Sequence, residues 1–358
     1  AADRRRFARL QAGLLPQKLD ALLFFDMKNI RYLTGFTGSD GVLLVRGDRA
    51  QLLVDGRYTT QAGEQAPHCE VIRYRDKIGG IAAALAEGEV SRVGFEAAAL
   101  TVELYEKLRD KVESAELLPF TGEAASLRSI KDEEELSAIR RAVEVATVAI
   151  RDVLPLLKPG REERDIALEI DYQMRRRGAE ENAFPTIVAS GLNAALPHAR
   201  PGQRKLAAGD PVIMDYGAVA DGYRSDETCT FILGRAEGEF RKAYEIVKEA
   251  HDRALDAVKA GVPCREIDRI ARQCIEAKGY GPHFSHGTGH GVGLDVHEAP
   301  RLSPLSEEIL AAGMVITVEP GIYLPGRWGI RIEDMAVVRE DGAEVLTEMS
   351  KEMKIIEI

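Results

Sequence analysis

The chain has 358 residues, which suits two domains better than one core, and its 45% apolar and 30% charged residues exclude a disordered tail, a collagen or a disulfide-knotted miniprotein. Its 48 Lys plus Arg against 58 Asp plus Glu leave a formal net charge of −10, which disfavours a nucleic-acid partner. No apolar run approaches the roughly 18 residues of a membrane helix, and Cys69, Cys229, Cys264 and Cys274 lack C-x-x-C spacing, so they read as reduced cytoplasmic thiols.

Residues 1–10 carry Arg4, Arg5, Arg6 and Arg9 with no apolar core behind them, the pattern of a solvated first helix rather than a secretory signal. Short apolar runs bounded by turn residues then predict strands over 20–25, 41–45, 51–55 and 92–96. Helical stretches are expected between them, over 78–85 and 102–112. This is an α/β pattern about 125 residues long, enough for a domain. The stretch 117–129, with Pro119, Gly122 and Ser126 and little periodicity, reads as a boundary. The expected domains are 1–125 and 126–358.

Beyond the boundary the period changes. Asp132 and Glu135 have capping-box spacing, and Leu136, Ile139, Val143, Ala146 and Ile150 form one face of a long helix. A turn at Lys158-Pro-Gly160 leads to a second helix over 162–177, stopped by Gly178. The unit recurs 101 residues later. Leu154, Lys158, Gly160, Arg164, Ile166 and Gly178 match Leu255, Lys259, Gly261, Arg265, Ile267 and Gly279, six identities in 25 positions. Each copy is followed by an apolar strand ending in a carboxylate, Val212-Ile-Met-Asp215 and Met314-Val-Ile-Thr-Val-Glu319. The second domain therefore reads as two related helix–helix–hairpin halves.

Each hairpin carries an acid pair. Asp215 and Asp226 are nearly symmetric about the Asp221-Gly222 turn, and Glu319 and Glu333 about Gly326, so each pair is expected nearly opposite on adjacent strands. Like charges so placed repel unless a proton or cation lies between them. In apolar strands an unpaired carboxylate costs several kcal/mol by order of magnitude, so a metal explains the pattern better than surface charge. A histidine should complete the set. His283, His286, His290 and His297 fall within 15 residues, around the glycine-rich His286-Gly-Thr-Gly-His290-Gly-Val-Gly293. Without a Walker lysine this stretch is not a phosphate loop. Four carboxylates and an imidazole balance two divalent cations, and the oxygen-rich donors suit Mn²⁺, with Co²⁺, Fe²⁺ or Zn²⁺ as alternatives.

These motifs, with Val318-Glu-Pro-Gly321, Arg331-Ile-Glu-Asp-Met335 and Leu196-Pro-His-Ala199, resemble the pita-bread metallopeptidases, and among them the Xaa-Pro dipeptidase (prolidase) and aminopeptidase P group. Asn29-Ile-Arg-Tyr-Leu-Thr-Gly35 and Val54-Asp-Gly-Arg-Tyr58 resemble the creatinase-type amino-terminal domain. The resemblance implies an α/β amino-terminal domain and an α+β carboxy-terminal pita-bread domain. In the latter, pseudo-twofold helix–helix–β-hairpin halves surround a curved antiparallel sheet. It also implies Asp215, Asp226, His290, Glu319 and Glu333 as ligands of two metals, with Asp226 and Glu333 bridging. A metal-bridged water would attack the carbonyl before proline, with Glu319 shuttling the proton, and His198 and His297 would contact substrate and steady the tetrahedral intermediate. Arg331, two residues before Glu333, can orient the acids.

Arg301 stands where prolidases carry a carboxylate-binding arginine, so the resemblance favours a dipeptidase acting on Xaa-Pro, with aminopeptidase P acting on longer peptides as the alternative. Asp40 would hold the substrate amine from a partner subunit. Homodimerisation and a cytoplasmic location are expected by analogy. One departure is Cys229, where the family often has arginine; its odd spacing from Asp226 turns it to the opposite strand face, away from the metals. A creatinase-like hydrolase would not use the five-ligand set. A silent pita-bread binding module would have lost ligands.

Overall fold

The computed structural model describes residues 6–7, 9–10, 18–47, 49–88, 90–113, 115–121 and 123–358. They form two compact units that divide between Arg128 and Ser129. The expected first helix lies largely outside the described residues; of its span, Leu10 is buried.

In the amino-terminal unit the described residues form a six-stranded mixed sheet. Its order is Glu70–Arg73, Arg49–Val54, Val42–Arg46, Ala21–Phe24, Arg92–Glu96 and Glu116–Phe120. The central strand Ala21–Phe24 is buried at every position, as its unbroken apolar run demands. Two edge strands were not expected. Glu116–Phe120 pairs in parallel with Arg92–Glu96, and helix Glu123–Ser129 follows, so the supposed boundary stretch is structured. Pro119 is tolerated because this is an edge strand, where one face of the ladder needs no donor. Glu70–Arg73 escaped notice because its polar ends carry no period-two pattern. The Asn29 motif is a helix, Met27–Thr34, capped by Asp26 and closed by Gly35 at φ 79°. Buried Glu96 accepts from Phe25 N, Asp26 N and Asn29 Nδ2, fixing the start of that helix on the sheet.

In the carboxy-terminal unit the capping box of Asp132 and Glu135 is complete and opens helix Glu133–Val153. Helix Glu163–Arg176 follows, and the second copy supplies Gly238–Asp256 and Cys264–Glu276. The duplication extends to the backbone. Gly160 and Gly261 take φ values of 90° and 84°, and Gly178 and Gly279 take 99° and 86°, left-handed turns that a β-carbon would strain. Gly160 N donates to Leu206 O as Gly261 N does to Leu310 O. Each helix pair backs its own part of the sheet. The first packs with Val212, Met214 and Phe231, the second with Ile316, Val318 and Ile330.

Among the described residues the sheet is broken into a four-stranded part, Lys354–Ile356, Glu227–Leu233, Pro211–Tyr216 and Ile187–Ser190, and a five-stranded part, Glu298–Leu302, Gly289–Gly291, Val315–Val318, Asp334–Val338 and Ala343–Val345. A further ribbon pairs Gly321–Leu324 with Trp328–Arg331. The two parts meet where Glu333 N donates to Thr228 O and where Arg331 N donates to Thr230 Oγ1, which donates in turn to Arg331 O. That seam carries the candidate site.

Candidate metal centre

The hairpin registers place the acids. In the first hairpin Asp221 and Gly222 both have positive φ, 49° and 82°, as a tight reversal needs. Asp215 then faces Thr228, not Asp226. Asp226 lies two residues along, on the diagonal of the same face, so the expectation of nearly opposed aspartates is corrected by two residues. In the second hairpin Val318 pairs with Asp334 and Gly321 with Arg331, so the same register carried between them sets Glu319 against Glu333.

Ligand atoms of Asp226, His290 and Glu333 lie within 4.8 Å of one another. His290 Nε2 is 3.2 Å from Glu319 Oε1 and 3.6 Å from Asp226 Oδ2. His290 Nδ1 lies 3.1 Å from Gly291 O, a contact that places the ring proton on Nδ1 and leaves Nε2 for a cation. Asp215 stands outside the tight trio. Its Oδ2 accepts from Arg331 Nη2 at 2.6 Å, while its buried Oδ1 has no hydrogen-bond partner. A buried carboxylate oxygen left unsatisfied beside three convergent ligand atoms is what a cation site requires.

Charge tells the same story. Burial, then the neighbouring Glu333, Asp215 and Glu319, push Asp226 well above the usual carboxylate range. Burial and the charges of Glu319 and Asp215 do the same to Glu333. Asp215 is raised by burial, against the pull of Arg331. Glu319 differs: burial opposes its charge, yet the hydrogen bond and charge of His290 hold it at about 2. Acids that resist ionising together are relieved by positive charge among them, so the donors fit divalent metal ions.

The surrounding residues fix these donors. Thr228 Oγ1 donates to Glu333 Oε2 at 2.6 Å and accepts from Arg331 Nε at 3.1 Å. Arg331 also donates to Tyr323 Oη and Pro197 O, and Tyr323 Oη lies 2.9 Å from His286 Nε2. Thr317 Oγ1 accepts from His290 N and donates to Glu319 Oε1. Gly289 is required here, because a β-carbon would come within 2.0 Å of Thr317 O. Sequence reasoning missed Thr228, Thr317 and Tyr323. The threonines stand two residues from Asp226 and Glu319, so the period of two was a usable signal.

The acids form the floor of a cavity of ≈ 870 Å³ whose lining includes His198, His297 and Arg301. The rings of His290 and His297 stand edge to face, 4.3 Å apart. Burial and the proximity of His290 keep His297 below the usual imidazole value, favouring its neutral form. Arg301 pairs directly with His290 across the ladder, which puts the guanidinium stem and the imidazole on one face. Cys229 is buried on the far side, near Tyr216 Oη and Lys351 Nζ. Asp40, in the amino-terminal unit, is ion-paired with Lys77 and Arg57.

Comparison with known proteins bears on the fold and the family. Residues 137–340 match the family model described as metallopeptidase family M24, and residues 6–130 match the creatinase/prolidase N-terminal domain. The chain is 36% identical over 351 residues to a Xaa-Pro dipeptidase of Pyrococcus furiosus, covering 98% of this chain and 99% of that one. Among solved structures, a Xaa-Pro dipeptidase from Bacillus anthracis superposes with a TM-score of 0.96 at 38% identity, covering 99% of both chains. An X-Pro aminopeptidase from Thermotoga maritima gives 0.90 at 34% identity, covering 94% of this chain and 98% of the other. By sequence and by fold, the chain belongs to metallopeptidase family M24, with a creatinase/prolidase amino-terminal domain.

Proposed function

We propose that this protein hydrolyses the peptide bond before proline in Xaa-Pro dipeptides, with Asp215, Asp226, His290, Glu319 and Glu333 holding two divalent cations. The observation that carries the dipeptide reading is Arg301, paired across the ladder with His290 and facing the same cavity. A planar guanidinium suits the free carboxylate that a dipeptide presents just beyond its scissile bond. The bound cations would supply an activated water and polarise the scissile carbonyl.

The chain's own residues do the rest. Glu319 Oε accepts the proton of the attacking water and delivers it to the proline nitrogen as the bond breaks. His297 and His198 donate to the carbonyl oxygen as it gains charge. Arg331 holds Asp215 and, through Thr228, Glu333, so the acids keep their spacing without substrate.

Mn²⁺ is our choice of cation from the oxygen-rich donors, with Co²⁺, Fe²⁺ and Zn²⁺ as alternatives. We also infer a cytoplasmic location, in keeping with four cysteines that lack C-x-x-C spacing, and, by analogy alone, a homodimer. None of the helices among the described residues is long and apolar enough to cross a membrane.

The test is to strip the protein of metal, restore Mn²⁺ or Co²⁺, and offer Met-Pro beside an Xaa-Pro-Xaa tripeptide. Cleavage of the dipeptide alone is expected. Preferential cleavage of the tripeptide would make the protein an aminopeptidase P instead. Failure with every metal would return the binding-module reading.

A further inference from the structure

Glu163 opens the second helix of the first half and is fully buried. Among the described residues, no lysine or arginine is a hydrogen-bond donor to its carboxylate. Oε1 accepts from Ser190 N at 2.7 Å, from Ser190 Oγ at 2.8 Å and from Asn193 Nδ2 at 3.1 Å. Oε2 accepts from the same amide at 3.0 Å and from Gly202 N at 3.3 Å. Ser190 and Gly202 are the two ends of one segment, and Asn193 lies within it. One carboxylate therefore closes the base of the loop 190–202. Backbone bonds reinforce it, with Glu163 N donating to Arg204 O and Arg164 N to Gly202 O. The far part of the loop is tied by Arg331 Nη1, which donates to Pro197 O at 3.2 Å. Between these fastenings lie His198, Ala199 and Arg200, all of which line the cavity.

The second half has a counterpart of different reach. Buried Asp268, on helix Cys264–Glu276, accepts from Thr288 N and Thr288 Oγ1 and is paired with Arg272. Arg272 in turn donates to Phe284 O and His286 O. That clamp holds the loop that carries His290, a candidate metal ligand. Glu163 holds a loop that carries none.

We infer that Glu163 is a positioning residue for substrate: it seats the 198–200 segment over the metal centre without contributing to metal binding. A carboxylate is required because every partner is a donor. Glutamine at this position would turn its own amide hydrogens toward one or more of them, leaving buried N–H groups unpaired. The effect should therefore appear in the loop and in turnover, and not in the metal.

The inference uses the peptidase reading above only for its kinetic arm. The full-length Glu163→Gln variant is compared with the parent by Mn²⁺ titration of the metal-stripped protein, by hydrogen exchange, and by steady-state kinetics on Met-Pro. The expected result has three parts. The Mn²⁺ dissociation constants stay within about twofold, exchange in 191–202 rises at least about tenfold, and kcat/KM falls by a similar factor or more. Glu163→Asp, which keeps the charge but is one methylene too short to reach both ends, should fall between. Asp268→Asn is the contrast, and should weaken Mn²⁺ binding. If Glu163→Gln does not fold, Asn193→Ala leaves the bonds to Ser190 and Gly202 and should show the same pattern in smaller degree. Loss of Mn²⁺ affinity in step with activity, or unchanged exchange in 191–202, in whichever of these variants folds, would overturn the assignment. Should the parent fail to cleave any Xaa-Pro peptide, the peptidase reading falls, while the titration and exchange arms still decide whether Glu163 fastens the loop.

Discussion

In the first half of the carboxy-terminal unit a tight Asp-Gly reversal sets Thr228 opposite Asp215 and leaves Asp226 on the diagonal. In the second half the reversal centres on Gly326, five residues wide from Leu324 to Trp328, and its register sets Glu319 against Glu333. Directly opposed β-carbons stand ~4.5–5.5 Å apart, diagonal ones roughly 7–8 Å. The second half thus brings the longer acids into the closer pairing, and it alone adds the histidine. The first half adds Thr228, which donates to Glu333 across the seam. Two copies of one helix–turn–helix scaffold have diverged at the loops and side chains, while the left-handed glycines that shape the scaffold stayed in step. On the reading proposed above, the second half supplies His290, Glu319 and Glu333, with the proton acceptor among them, and the substrate contacts His297 and Arg301, while the first supplies Asp215, Asp226 and His198.

The sharpest way to break that division is Glu319→Gln. Turnover of Met-Pro should fall by about 10³-fold, within the usual range for a lost general base, with the far-UV circular dichroism unchanged. A milder loss, matched by that of His198→Ala, would mean that proton transfer does not belong to the second half.

Next comes His290→Ala. The variant should retain fewer than two metal ions per chain after dialysis, and its affinity should fall further than the roughly 10- to 100-fold seen for residues behind a ligand. Metal content read by plasma mass spectrometry checks this. Two ions retained would remove His290 from the ligand set.

Arg301→Met should raise KM for Met-Pro by about 10- to 100-fold, the scale of a charge-assisted hydrogen bond, with little change in kcat. Met-Pro amide, which lacks the carboxylate, should be cleaved equally by parent and variant. An equal loss on both substrates would make Arg301 a structural residue.

The smallest effect concerns one thiol from each half. Burial pushes both Cys229 and Cys264 up to about 12. In the unfolded chain a thiol ionises near ~8.5. The folded pKa is the higher, so the native state binds the extra proton in between. Stability from this source is therefore full below about pH 8.5 and falls as pH rises toward about 12. Native protein at pH 8 should leave both thiols unlabelled by a disulfide reagent, with half-buried Cys69 reacting first. Fast labelling of Cys229 alone would show that the first half opens more readily than the second.

Much of this arrangement was legible in the chain. The capping box at Asp132, the repeat at an offset of 101 residues and the symmetric acids followed from local rules of spacing. The metal reading followed from four carboxylates in apolar strands. What escaped was information that no single segment holds. Pro119 and the polar ends of Glu70–Arg73 hid two strands whose pairing comes from neighbours across the sheet. The diagonal placement of Asp226 turned on a two-residue difference in register. Glu163 drew no expectation from the sequence, because its partners lie in the loop 190–202, far along the chain.

Sequence by itself determined which residues could form these elements and which acids had no business in an apolar strand unless something neutralised them. Periodicity, caps and turn residues are properties of a few consecutive positions, and they survive in one dimension. Only the tertiary structure decided which oxygen of Asp215 is satisfied, that Thr228 spans to Glu333 over 105 positions, and that one buried carboxylate closes a loop 27 to 39 residues away. Those contacts are set by where two hairpins and two helices pack, and the energy that fixes them is shared over the whole core.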